Sequence, residues 1–136
     1  MRPIQITTSA YDAAVTDSVA AAQTLASAGD LTLVSSTVTL DPPCYVTITS
    51  AADETAVNFT ITGTGPSGQT QSETLAGGNT ATVTTTLTFA TVTSIAADDA
   101  TTDDVEAGNA QAGYSAWWPL DIYTPNQVTT ISVNVT

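Results

Sequence analysis

An all-β fold is predicted by three features of the chain: a hydrophobic period of two, a surplus of threonine, and turn-forming clusters at regular spacing. In Val57-Asn58-Phe59-Thr60-Ile61-Thr62, apolar and polar residues strictly alternate, which puts Val57, Phe59 and Ile61 on one face of a pleated strand. Threonine occurs 29 times in 136 residues. It is β-branched and its hydroxyl tolerates water, so it suits the outer face of a strand. Several short strands separated by turn signals suggest a sandwich or barrel. The expected architecture is an antiparallel β-sandwich, jelly-roll-like, with an extended N-terminal arm. Residues 1–12 form the arm and 13–136 a single domain.

The elements follow in order. Ile4 and Ile6 alternate with Gln5 and Thr7 but have no hairpin mate nearby, so the first residues read as an arm. Ala13–Ala28 is rich in alanine, the best helix former. Its serines and threonines dilute that propensity, and no cation complements a helix C-terminus; an extended strand is the preferred reading over a helix. Asp41-Pro42-Pro43 is expected to block continuation from Leu40 into the strand at Cys44, where Val46 and Ile48 alternate with Thr47 and Thr49. Gly63–Gly68 reads as a hairpin loop between Val57–Thr62 and Gln69–Leu75. Gly77-Gly78-Asn79 reads as a second turn, into Thr80–Thr93. Two successive hairpins predict a three-stranded meander. In its last strand Ala81, Val83, Leu87 and Phe89 would face inward, Thr82, Thr84, Thr86 and Thr88 outward, with Thr85 interrupting the apolar face. Tyr114–Pro125 contains two prolines and should be a loop or irregular edge. Ile131, Val133 and Val135 alternate again at the C-terminus.

Composition excludes several function classes. There is no histidine or lysine, one arginine (Arg2) and one cysteine (Cys44), against thirteen carboxylates, for a formal charge of -12. General acid–base, covalent and phosphoryl-transfer chemistry lean on the missing side chains, so no enzymatic activity is expected. Nucleic acid and anionic membranes would repel the chain. A lone cysteine makes no internal disulfide and reads as a small buried hydrophobe. No secretory signal or membrane-spanning run is visible, so the protein is expected to be made and used without crossing a membrane.

Three constellations could carry chemistry. Asp98, Asp99, Asp103, Asp104 and Glu106 place five carboxylates in nine residues. Calcium takes about six to eight hard oxygens, but the spacing lacks the EF-hand pattern; a solvated acidic loop is the simpler reading, and no metal or cofactor is expected. Asp53-Glu54 and Asp121 could flank a sugar as a carboxylate pair, although small side chains build a poor cleft. Trp117-Trp118 in an extended segment would point to opposite faces, one into the core and one toward a partner or a sugar. Trp and Tyr are favoured interface anchors. The candidate partner contacts are therefore Trp117, Trp118 and Tyr123, with Arg2, Ile4 and Ile6 on the arm.

The order and spacing of several strand-and-turn stretches resemble small virion structural proteins of tailed bacteriophages. These stretches are Ala20–Leu25, Gly29–Leu33, Val46–Ser50, Val57–Gly65, Gln71–Leu75, Phe89–Ile95 and Trp118–Asp121. The likeness spans residues 15–135. Within that group a short, acidic, β-rich chain looks like a capsid cement or decoration protein. The resemblance implies a structural role on the outer capsid surface, contact with the major capsid protein, and self-association, often as dimers or trimers, of which a dimer is expected here. It implies synthesis in the host cytoplasm and supplies no catalytic residues. A tail or neck component, or a glycan-binding receptor module, is the alternative.

Overall fold

The computed structural model describes residues 11–114. Seven strands occur in it: β1 (Val15–Gln23), β2 (Gly29–Asp30), β3 (Val38–Ser50), β4 (Asn58–Thr64), β5 (Thr70–Ala76), β6 (Thr82–Ala97) and β7 (Val105–Asn109). There is no helix among the described residues. The preferred extended reading of the alanine-rich stretch is what β1 shows. All pairings are antiparallel, in the order β1-β7-β3-β6-β4-β5, with β2 joined to β6.

Long β6 turns this hydrogen-bonded sheet into a sandwich. β3 pairs with it from Thr82 to Val92, and β4 only from Thr91 to Ala97. β6 thus passes from one layer to the other. Side chains of β5 then reach back to the first half of β6. Glu73 Oε1 accepts from Thr86 N–H at 2.8 Å and from Thr86 Oγ1 at 2.9 Å, and its Oε2 accepts from Leu87 N–H at 2.8 Å. Gln71 Nε2 donates to the Thr88 carbonyl at 2.7 Å. Side chains stand perpendicular to their own sheet, so these bonds require the two halves to face each other, as in sandwich packing. Between them lies one apolar cluster that includes Val19, Val46, Ile48, Phe59, Ile61, Phe89, Val92, Ile95 and Val105.

The expected inward face of β4 is observed: Phe59 and Ile61 are fully buried and Val57 nearly so. The glycine-rich hairpin also forms, with Thr64 opposite Thr70 and Gly68 at φ +80°, a backbone conformation that glycine adopts without strain.

Three expectations are corrected. The meander does not form, because β6 pairs with β4 and leaves β5 on the outside. The chain crosses over after Gly77-Gly78, and both glycines are needed there. A Cβ on Gly77 would press on Glu54 at 2.6 Å, and one on Gly78 would strike the Ala81 carbonyl. Asp41-Pro42-Pro43 does not end a strand. β3 continues through it, and the ladder to β6 slips between Thr39 and Cys44. Proline has no N–H to pair, so the residues bulge out while the strand keeps its direction. Finally, Ala81 is exposed and Thr88 is buried, each opposite to its expected exposure; the Thr88 hydroxyl is covered by Tyr114, whose N–H it accepts. Thr82, Thr84 and Thr86 are exposed and Thr85 is buried, as expected. A second slip, between Tyr45–Thr88 and Thr47–Thr84, spans two residues of β3 and four of β6, so Thr84 and Thr88 keep the same side.

β7 was not anticipated. Val105 and Glu106 begin a strand where an acidic loop was expected to continue. Gly108 lets β1 lie close, since a Cβ there would collide with the Val15 carbonyl.

Candidate interaction surface

Carboxylates gather at one end of the sandwich, and the loop after β6 is what collects them. Asp98 sits at the end of the β4–β6 pairing and accepts from Asn58 N–H at 2.8 Å and from Asn58 Nδ2 at 2.7 Å. These bonds, the side-chain one first, hold its carboxyl below the usual aspartate range. Asp53 accepts from the Thr55 hydroxyl at 2.7 Å and the Thr55 N–H at 3.1 Å, and is lowered for the same reason. Its other oxygen accepts from Asn79 Nδ2 at 3.2 Å. Asp104 accepts from the Thr24 hydroxyl at 2.6 Å.

Glu54 is the buried member of this group, 1% exposed. Its Oε1 accepts from Thr102 N–H at 2.7 Å and Asp103 N–H at 3.0 Å, and its Oε2 has no partner among the described residues. The carboxylate therefore organises the loop from inside. Glu54 is buried beneath the loop while its neighbour Asp53 is exposed. Asp121, the third carboxylate expected to flank a sugar with them, lies outside the described residues. No three Asp, Glu, Cys or His side chains among the described residues come together as ligands for a metal ion.

The opposite feature of the surface is aromatic. Tyr45 on β3 and Tyr114 meet edge-to-face, with ring centroids 6.0 Å apart and planes at 74°. Tyr114 is 44% exposed and is anchored by its N–H, which donates to Thr88 Oγ1 at 3.2 Å. A cavity of about 230 Å³ is lined by Tyr11, Asp12, Leu40, Asp41, Cys44 and Asn109, among others. Cys44 is buried at its wall, as expected from the sequence, and free. Burial first, and the nearby Asp12 charge second, push its thiol up to about 11. At neutral pH it is a protonated thiol and a poor nucleophile.

Arg2, Ile4, Ile6, Trp117, Trp118 and Tyr123, the predicted partner contacts, lie outside the described residues. Those residues end at Tyr114, three positions before Trp117. Glu73, Glu54 and Thr85 were missed as organising residues. Thr85 alone left a trace in the sequence, as a polar residue on an apolar face. It accepts from the buried Val46 N–H at 2.9 Å and donates to the Leu87 carbonyl at 2.9 Å, replacing ladder bonds lost at the slip. Comparison with known proteins finds no family model, no curated protein and no solved structure that matches the chain.

Proposed function

We propose that this chain is a structural virion protein, a capsid cement or decoration protein that binds the outer surface of a phage capsid and bridges neighbouring major capsid subunits. The observation that carries the reading is electrostatic. Of thirteen carboxylates only Asp121 lies outside the described residues, so twelve belong to a body with no cationic side chain. Such a body avoids nucleic acid and anionic membrane and suits a basic protein surface. Asp53, Glu54, Glu73, Asp98 and Asp104 are tied to threonines, asparagines and backbone amides, as parts of a scaffold rather than of a reaction centre. This favours a binding role over a catalytic one. The likeness of its strand-and-turn order to small tailed-phage virion proteins points the same way.

Bridging works through bivalency. A homodimer with two weak capsid contacts gains from the high effective concentration at its second site. The aromatic segment that continues from Tyr114 through Trp117, Trp118 and Tyr123 is the proposed contact. The test is the stoichiometry of the chain to the major capsid protein in purified particles. A copy number matching the capsid lattice is expected. The copy number of a single ring would move the protein to the neck or tail, and sugar binding by the isolated protein would favour a receptor module.

A further inference from the structure

β7 is much shorter than the strand it flanks. It stops at Asn109, opposite Val46 of β3 on one side and Val15 of β1 on the other, while β3 runs on to Val38. Among the described residues, the first part of β3 therefore pairs with β6 alone. The cavity walled by Leu40, Asp41 and Cys44 of that part, by Asn109, and by Tyr11 and Asp12 lies where β7 has run out. Its volume of about 230 Å³ is the room that about seven or eight waters take in the liquid. One long side chain is of that size.

The wall is of two kinds. Leu40 and Cys44 are buried and give an apolar floor, and Tyr11 adds a half-buried ring. The polar groups of Ser18 and Asn109 are engaged within the fold. The Ser18 hydroxyl donates to Asn109 Oδ1 at 2.8 Å, and Asn109 Nδ2 donates to the Ala13 carbonyl at 3.1 Å. Asp12 and Asp41 are different. Both are exposed where they line the cavity, and neither carboxylate accepts a hydrogen bond among the described residues. Asp53, Glu54, Glu73, Asp98 and Asp104 all do. After burial, it is the Asp12 charge that pushes the Cys44 thiol up, so that charge is felt at the floor.

An apolar floor below unengaged carboxylates suits an organic cation with an apolar stem. A bare metal ion lacks ligands, since no three acidic, Cys or His side chains converge among the described residues. An anion is repelled by a charge of -12. A neutral apolar ligand would desolvate the carboxylates without pairing them. Arginine and lysine bury an alkyl stem on apolar surface and keep the charged head out of it. The guanidinium also stacks on aromatic rings and offers carboxylates a fork of donors.

We propose that this cavity is a socket for an arginine side chain of a partner protein, its stem against Leu40 and Tyr11 and its guanidinium paired with Asp12 and Asp41. The inference deepens the proposed binding to a basic protein surface and rests on that reading for the partner. The socket itself is tested on the isolated chain, without particles, so its failure is separate from a failure of the stoichiometry test.

The probe is n-butylguanidinium, which keeps the stem and the charged head, with n-butylurea as its neutral counterpart. In NMR titrations of the full-length chain, the guanidinium should shift the amides of Leu40, Cys44 and Asn109 to saturation and leave those of Thr102 and Asp103 in place. The urea should bind at least about tenfold more weakly, and the double change Asp12→Asn, Asp41→Asn should weaken guanidinium binding by about tenfold or more. Equal binding of the two probes would overturn the proposal, because the floor would then be selecting apolar surface alone. Shifts of equal size at Thr102 and Asp103 would overturn it as general attraction to a negative chain. Binding seen only after Arg2→Gln would overturn it in favour of the chain's own arginine, and no saturable shift in either background would overturn it outright. The comparison of the two probes decides the matter even if the double variant does not fold.

Discussion

The β4–β5 hairpin and the β3–β6 pair are built from the same materials, threonine alternating with branched apolar residues, and they are held together differently. The hairpin runs through seven consecutive residue pairs without a slip. The β3–β6 ladder slips twice. In the hairpin the backbone supplies the pairing, and the side chains only sort themselves into buried and exposed faces. At the slips, side chains take over backbone duties: Thr85 receives the Val46 N–H, and Glu73 receives Thr86 and Leu87 from the facing layer. Mutations should therefore act through apolar area in one region and through polar satisfaction in the other.

The largest expected effect is in the regular region. Phe59→Ala should cost ~3–5 kcal/mol and Ile61→Ala ~2–5 kcal/mol, the usual range for emptying a core position. Thr60, whose hydroxyl meets that of Thr74 at 2.8 Å on the outer face, should cost under ~1 kcal/mol as Ala. Urea melts of the three variants rank them, and Thr60→Ala as the worst would reverse the assignment of faces.

The irregular region comes next. Thr85→Val keeps the shape and removes the acceptor for a buried N–H, for which ~1–3 kcal/mol is expected. Glu73→Ala should act in the same direction by freeing the Thr86 and Leu87 amides. Neutral outcomes in equilibrium melts would mean that the backbone holds the slip unaided and that the contrast between the regions is false. Gly63→Ala probes where the regions join. β4 slips against β6 at Gly63, and a Cβ there would run into the Thr91 carbonyl. An overpacking cost of ~1–3 kcal/mol is expected.

Smaller effects appear as pH dependence. The Cys44 thiol, at about 11 in the folded chain against a reference of 9.0, ionises first in the unfolded chain. Stability is therefore full below about 9 and falls as pH rises toward about 11. Cys44→Ala should flatten part of that alkaline limb in pH-dependent melts. Tyr11, raised by burial and by the charges of Cys44 and Tyr45, leaves a remainder in the same direction. The smallest effect concerns Asp98, whose folded carboxyl is depressed. Its contribution is complete above the ordinary aspartate value of ~3.9 and is lost as pH falls through the depressed one. Asp98→Asn should make the acid limb shallower, and an unchanged limb would show that the Asn58 contact does not stabilise the fold.

The contrast also explains what could be read from the residues alone. Phe59 and Ile61 were placed correctly because an unbroken ladder preserves the period of two from end to end. The hairpin turn was visible because glycine and proline act through local backbone geometry. Of the β6 threonines, Thr82, Thr84 and Thr86 were placed correctly and Thr88 was not, because its cover comes from Tyr114, 26 residues away, which no local pattern marks. The candidate surface was legible only as a composition. The acidic run at 98–104 was evident, but its interior anchor, Glu54, is 48 residues from Thr102 and carried no pattern of its own.

Local rules by themselves determined that the described residues hold strands and no helix, that β4 buries its odd residues, that Cys44 is a buried thiol, and that the charge is overwhelmingly negative. Each follows from the stereochemistry or solvation of a residue and its near neighbours. Tertiary structure alone decided that β6 lies beside β4 rather than β5, that β3 passes through its prolines, and that Glu73 and Glu54 serve as acceptors within the fold. Those outcomes depend on which distant backbone groups lack partners once the apolar faces have closed on one another. A buried N–H takes the nearest oxygen left to it, and that oxygen's position in sequence is set by the packing of the two layers.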